Sequence, residues 1–239
     1  MSGLGTDPRP TAGTRGPEGS VSTSYEGRWF FPGTLPAPVL EAFWSPGPWA
    51  DASGGRERGW PAPRIDRYLP FAVDFGLKLR QEPDAPARLE FKGRIGDPRR
   101  VDLGPGIRVV AGHWVKWSYA GAVIPPVLVA ELAGGVDETS VEKRRVLRLL
   151  DLGADGTVRE VSPEERIHRG VQVELTLVGT PASSEAAWWT LGFEAFPDDA
   201  ELPESVHGAL GSYLDRLGAA GAVLDEAHSA TYPEWLLGL

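Results

Sequence analysis

The chain contains no cysteine, which excludes disulfides, thiolate metal sites and cysteine nucleophiles. It also lacks an apolar run of about 18 residues and a basic, apolar leader pattern at the N-terminus, so neither a transmembrane helix nor an export signal is expected. The absence of cysteine fits a reducing compartment. We therefore expect a protein of the cytoplasm.

Basic residues are outnumbered, with 24 Lys and Arg against 33 Asp and Glu, for a formal net charge of −9. This balance argues against DNA or an anionic membrane as the main partner. Histidine is scarce, and the four histidines do not have the spacing of metal ligands. The Gly104-Pro105-Gly106 turn lacks the Lys-Ser/Thr that ends a phosphate loop, and no Gly-x-Ser-x-Gly element is present.

Length and composition suit one folded domain after a short tail. Residues 1–20 are rich in Gly, Pro, Thr and Ser, so we predict a disordered tail there. The remainder, 21–239, is predicted to be a single domain, since 41% hydrophobic residues suffice for a core. A Pro- and Gly-rich loop at 45–63 carries or adjoins three tryptophans, which we expect to cap one end of the fold or to form a partner surface.

The most informative pattern is a charge at every second position in Leu89-Glu90-Phe91-Lys92-Gly93-Arg94. Because side chains alternate along a strand, Glu90, Lys92 and Arg94 share one face. The preceding segment, Gly76-Leu77-Lys78-Leu79-Arg80, also alternates apolar and basic residues, so Lys78 and Arg80 share one face. A single such strand fits a half-exposed sheet, but the recurrence of the pattern along the chain favours a polar cavity.

Eight segments are predicted to be strands: Val21–Phe31, Arg64–Leu69, Phe75–Arg80, Arg88–Arg94, Val109–Tyr119, Val141–Asp151, Gly170–Leu177 and Trp188–Phe196. Helix is the alternative for the sixth of these, and Val127–Leu132 fits either a strand or a helical turn. Apolar spacing predicts a helix over Leu202–Leu217, and a second short helix near Pro233.

Strands with one charged face, joined mainly by short connections, suit a closed antiparallel barrel with a polar interior. The predicted class is therefore α+β, mainly antiparallel β, with a closed eight-stranded tunnel barrel and peripheral helices. Lys and Arg side chains directed into such a bore bind phosphate oxygens through charge-assisted hydrogen bonds.

Four segments resemble motifs of the CYTH family of triphosphate tunnel metalloenzymes. They are Leu77-Lys78-Leu79-Arg80, Leu89-Glu90-Phe91-Lys92, Val173-Glu174-Leu175 and the Thr231-Tyr232-Pro233-Glu234-Trp235-Leu236-Leu237 ending. The resemblance runs from about Tyr25 to Leu237. It implies a hydrolase that acts on a triphosphate or short polyphosphate inside a charged tunnel, with Mg²⁺ or Mn²⁺ as cofactor.

The resemblance also implies site residues. The catalytic and metal-binding carboxylates would be Glu26, Glu174 and Glu194. The phosphate-binding cations would be Arg28, Lys78, Arg80, Lys92, Arg94 and either Arg144 or Arg148.

The first strand departs from the family pattern. Where the family has Glu-x-Glu-x-Lys, this chain has Glu26-Gly27-Arg28-Trp29-Phe30, with a cation in place of the second carboxylate and an aromatic residue in place of the lysine. This change favours an alternative, a non-catalytic barrel that binds a phosphorylated small molecule. Two further alternatives are a protein-interaction module with exposed tryptophans and an internal ion-pair network that binds nothing.

Overall fold

A computed structural model describes residues 19–47, 59–81, 88–120, 138–162, 165–179, 188–197, 199 and 202–238. Within these ranges the chain forms nine strands and three α-helices. The strands are β1 (Gly19–Pro32), β2 (Arg64–Ala72), β3 (Phe75–Gln81), β4 (Arg88–Gly104), β5 (Ile107–Ala120), β6 (Thr139–Leu152), β7 (Val158–Val161), β8 (Gly170–Gly179) and β9 (Trp188–Phe196). The helices are α1 (Ala37–Trp44), α2 (Leu202–Ala219) and α3 (Tyr232–Leu237), with a 3₁₀ turn at Glu226–His228.

All nine strands belong to one antiparallel sheet, in the order β2-β3-β4-β5-β1-β9-β8-β6-β7. Because β2 also pairs with β6, eight strands follow one another in a ring, and β7 extends the sheet as a hairpin on β6. The α+β class and the mainly antiparallel β content predicted from the sequence are confirmed. Each strand of the ring has two antiparallel neighbours, which leaves few unpaired backbone groups along it.

Strand alternation separates an apolar outer face from a charged inner face. On β1, Trp29 and Phe31 belong to the main hydrophobic core, whereas Glu26 and Arg28 line an internal cavity. The core lies between the outer faces of several strands and the helices α1 and α2. The buried residues of α2 follow the helical repeat that predicted it: Leu202, Val206, Ala209, Leu210, Tyr213, Leu214 and Leu217.

Helix α3 packs against the inner side of the ring. Thr231 and Glu234 form a capping box at its N-terminus, with each side chain bonded to the other residue's backbone N–H. Trp235 and Leu236 are buried in a second apolar cluster with inward-facing residues of four strands. The members contributed by the strands are Phe30, Tyr68, Val141 and Val178. The residues just before and at the start of this helix, 230–233, line the cavity.

Several boundaries differ from the sequence prediction. Strand β1 begins at Gly19, within the predicted tail, and β4 continues to Gly104, past a register shift between Ile95 and Arg99. Helix α1 was not predicted; it buries Val39 and Phe43. The structure confirms a strand rather than a helix at the sixth segment.

Parts of the prediction fall outside the described residues, namely 1–18, Trp49 and Val127–Leu132. Trp44 and Trp60 are partly buried against the main core. Within the described part of the chain, no helix has the length and apolar character needed to cross a membrane.

Replacing Trp29 with alanine should lower the free energy of unfolding by about 3 to 5 kcal/mol, because its fully buried ring packs in the main core. Its indole N–H also donates to the Arg108 carbonyl at 2.8 Å. Val21 lies on the same strand with 64% of its surface exposed, so Val21→Ala should change stability by no more than about 0.5 kcal/mol. Urea denaturation followed by tryptophan fluorescence and circular dichroism measures both; equal losses would contradict the proposed core.

Candidate functional site

A cavity of about 160 Å³ lies inside the ring of strands. Among the described residues, its lining holds eight basic side chains and four carboxylates, for a formal charge of +4. The basic residues are Arg28, Arg64, Lys78, Arg80, Lys92, Lys116, Lys143 and Arg145, and the acidic residues are Glu26, Glu90, Glu174 and Glu194. The chain has four lysines in all, at positions 78, 92, 116 and 143, and every one of them lines this cavity.

Strand register explains why these side chains meet. Residues directly opposite one another on antiparallel strands point to the same face. Glu90 on β4 therefore lies beside Lys78 on β3, with Nζ 2.8 Å from the carboxylate. The pairing of β1 with β9 sets Glu26 opposite Glu194. These two like charges are balanced by lysines from β4 and β5.

The first balancing pair is formed by Lys92, which donates to Glu26; the Ser24 hydroxyl donates to the same carboxylate. Lys116 lies 3.7 Å from Glu194. Burial alone would lower the pKa of Lys92, but Glu26 and Glu194 outweigh this effect and raise it. Lys92 therefore keeps its proton at neutral pH.

A second group centres on Glu174 of β8. Its carboxylate lies 2.9 Å from Arg28 and 3.1 Å from Arg145, and it accepts a 2.8 Å hydrogen bond from the Thr176 hydroxyl. Burial alone would raise the pKa of Glu174, but the two guanidinium groups hold it well below its usual value. Glu174 is thus a charged acceptor already occupied by two cations.

A third group centres on Asp66 of β2, which is completely buried. Three cations surround its carboxylate, with Arg64 at 2.9 Å, Lys78 at 3.6 Å and Lys143 at 3.7 Å. Burial opposes ionisation of Asp66, but Lys78, Lys143 and Arg64 lower its pKa. Lys143 also lies 2.5 Å from the Tyr68 hydroxyl.

Of the ten residues that the sequence implicates, seven line the cavity: Glu26, Arg28, Lys78, Arg80, Lys92, Glu174 and Glu194. The other three lie elsewhere. Arg94 shares the inner face but lies beyond the cavity lining, 3.5 Å from Glu234 and over the Trp114 ring. Arg144 is exposed to solvent. Arg148 is buried in an ion pair with Glu160 at 2.6 Å.

The sequence reasoning chose the wrong face of β6. Arg148 donates to the carbonyl oxygens of Phe43 and Ser45 as well as to Glu160, so its side of the strand faces α1 and the β7 hairpin. The opposite side carries Lys143 and Arg145 into the cavity. Val146 and Leu150 lie on the Arg148 side and are buried in the main core, but Leu147 and Leu149 give the opposite side a similar apolar spacing, so local spacing did not decide between the two faces.

Other cavity residues were not assigned to the site from the sequence. Arg64 and Tyr68 come from β2, Lys116 from β5 and Tyr232 from α3. Asp66, which lies just behind the lining, belongs with them. On β2 the sequence did indicate a shared polar face, since Arg64, Asp66 and Tyr68 are spaced two residues apart.

The three predicted metal ligands do not form a metal site by themselves. In the part of the chain that the structure describes, no three His, Cys, Asp or Glu side chains form a group that would hold a metal ion. Glu26, Glu174 and Glu194 each contact a lysine or an arginine instead. Their arrangement therefore suits charge balance of the cavity more directly than metal ligation.

The chain matches no protein-family model and no curated protein. The resemblance to the CYTH family consequently rests on the quoted residues.

Replacing Asp66 with asparagine should destabilise the protein at pH 7 by about 3 to 5 kcal/mol, because three basic side chains lose the buried carboxylate that they share. The folded-state pKa of Asp66 is lowered, so its contribution is complete above the unfolded value of about 3.9 and is lost as the pH falls through the folded-state pKa. The difference from wild type should therefore shrink below about pH 4.

Glu138 provides the control, since its pair with Arg67 is largely exposed. Glu138→Gln should cost less than about 1 kcal/mol. Urea unfolding of the three proteins between pH 3 and pH 7 tests both expectations. A similar small loss for both variants would show that Asp66 does not hold the cations together.

Proposed function

We propose that the cavity binds a small polyanion with several phosphate groups, such as tripolyphosphate or the triphosphate of a larger molecule. The observation that carries this proposal is the excess of basic over acidic side chains at the cavity wall, eight against four carboxylates, in a chain whose net charge is −9. With Asp66 behind the lining included, eight basic side chains face five carboxylates, which leaves a formal excess of three positive charges, or two if Lys143 is uncharged. The placement of all four lysines in this wall strengthens the argument.

The charge excess favours an anion for a physical reason. Like charges enclosed in a medium of reduced dielectric repel one another, and removing them from water is costly. A network that served only to rigidify the fold would balance its charges. A bound polyphosphate supplies the missing negative charge, and Arg forks and Lys ammonium groups match its oxygens with charge-assisted hydrogen bonds.

We further infer that the eight-stranded ring is a tunnel barrel, with α3 at one end of the bore. The β2–β6 pairing, the charged inner faces and the cavity inside the ring support this architecture. The protein-interaction alternative has less support, because Trp44 and Trp60 are partly buried against the core rather than presented as an exposed patch.

Metal-dependent hydrolysis of the same ligand stays a prediction from the family resemblance. The opposition of Glu26 and Glu194 across β1 and β9 favours it as a second candidate, since both carboxylates face the cavity that the phosphates would occupy. The altered first strand and the cations around Glu174 favour binding without turnover.

Arg145 and Arg144 form a matched pair for testing the binding site, since they are neighbours on β6 with opposite orientations. Arg145 lines the cavity and Arg144 is exposed. Arg145→Gln should weaken tripolyphosphate binding by about ten- to a hundredfold, the usual loss for one charge-assisted contact. Arg144→Gln should bind like wild type.

Isothermal titration calorimetry at low salt is the measurement, with circular dichroism to establish that both variants fold. Higher salt should weaken binding of the polyanion. Absence of any heat of binding for wild type at low salt would refute the proposed function, and equal losses in the two variants would refute the assignment to this cavity.

Hydrolysis is tested by measuring phosphate release from tripolyphosphate with Mg²⁺, with Mn²⁺ and with a chelator. If release depends on a divalent ion, Glu174→Gln should abolish it, because the amide keeps the shape of the carboxylate and removes its charge. Release that persists in that variant would exclude Glu174 from the reaction. Tight binding by wild type with no release under any condition would leave binding as the function.

A further inference from the structure

Lys143 has surroundings unlike those of the other three lysines. Only 4% of its side chain is exposed, although it lines the cavity. Its Nζ lies 3.3 Å from the centre of the Tyr232 ring and 4.8 Å from that of Tyr68. The Tyr68 hydroxyl and the Asp66 carboxylate are its nearest polar partners, at 2.5 Å and 3.7 Å.

Of the three basic side chains around Asp66, Lys143 loses its proton most easily. Arg64 lies closest to the shared carboxylate and keeps its charge at any ordinary pH. Lys78 has a second carboxylate, Glu90, at 2.8 Å. Lys143 is the most buried of the three cations and is the farthest, with Lys78, from Asp66.

The remaining charged groups point to the same conclusion. Burial, Lys78 and Arg64 lower the pKa of Lys143, while Asp66 and the more distant Glu174 oppose them, and the net result lies well below the usual value. Tyr68 and Tyr232 face the amine from β2 and α3 and stay protonated, since burial raises the pKa of both. The amine thus faces neutral phenols, two cations and two carboxylates, and its burial is the largest effect that disfavours the charged form.

We propose that the amine of Lys143 is uncharged in the free protein and takes up a proton when a polyphosphate binds in the cavity. This inference rests on the proposed function and extends it to the regulation of binding by pH. A polyanion close to Nζ stabilises the ammonium form, so the ligand and the proton bind together.

The linkage fixes the direction of the pH effect. Between the lowered pKa of the free state and the higher pKa of the complex, binding takes up one proton, so affinity rises by up to about tenfold for each unit that the pH falls. Outside that window Lys143 contributes no pH dependence. Lys92, with its raised pKa, is already charged and contributes none at neutral pH.

The proton count is measured by calorimetry with tripolyphosphate, in buffers of the same pH and different ionisation enthalpies. Lys143→Met should take up about one proton fewer than wild type, because an apolar side chain of similar length replaces the amine. Lys92→Met is the matched control: it removes a cavity ammonium and weakens binding, but the proton count should stay that of wild type. Lys143→Arg, with a permanent charge, should bind without this uptake.

A second measurement does not require the variants to bind. The four lysines give four side-chain signals in a protein labelled at the lysine ε-carbon, and Lys143→Arg removes one of them. In the free wild type, the Lys143 signal should titrate at a lower pH than the Lys92 signal. Addition of tripolyphosphate should move its chemical shift towards the value of the ammonium form.

The outcomes separate the two proposals. If wild type gives no heat and no shift with tripolyphosphate, the proposed function fails and this inference fails with it. If tripolyphosphate binds while Lys143→Met takes up as many protons as wild type, or if the Lys143 signal in the free protein is that of an ammonium group at neutral pH, only the inference is overturned.

Discussion

The structure depends on one electrostatic constraint, the presence of more basic side chains than carboxylates around one cavity inside a ring of strands. The repulsion among these cations must be offset, since charges removed from water cannot rely on solvent screening. Three carboxylates each contact more than one basic side chain: Asp66 lies among Arg64, Lys78 and Lys143, Glu174 lies between two arginines, and Glu90 lies near Lys78 and Arg80. Because carboxylates are shared in this way, the wall has a net positive formal charge.

The hydrophobic core on the outer face of the ring must supply the stability that the charged inner face does not. Side-chain alternation allows one strand to serve both faces, because β1 directs Arg28 inward and Trp29 outward into the core beneath the helices. Hydrophobic burial contributes roughly 25 cal/mol for each Å² of apolar surface removed from water, so large fully buried side chains such as Trp29 and Tyr213 contribute strongly. Helix α3 adds a smaller apolar cluster on the inner side.

The sequence predicted the strands well, because alternation depends only on local spacing. It predicted the inward face of β3 and most of β4, where every second residue is charged and the others are apolar. It failed on β6, where both faces carry arginine and the choice depends on distant partners. Glu160 on β7 and the carbonyl of Phe43 on α1 hold Arg148 outward. Neither partner is identifiable from local spacing, and α1 itself was not predicted.

The departure at the first strand acquires a physical meaning from these contacts. Where the CYTH pattern has a carboxylate, this chain has Arg28, which changes the local charge by two units and places a guanidinium 2.9 Å from Glu174. A carboxylate held by Arg28 and Arg145 has little capacity left for a metal ion. The same substitution adds a cation to the wall that the phosphates would contact. Under the proposed function, an arginine at this position therefore favours the capture of an anion over the ligation of a metal ion.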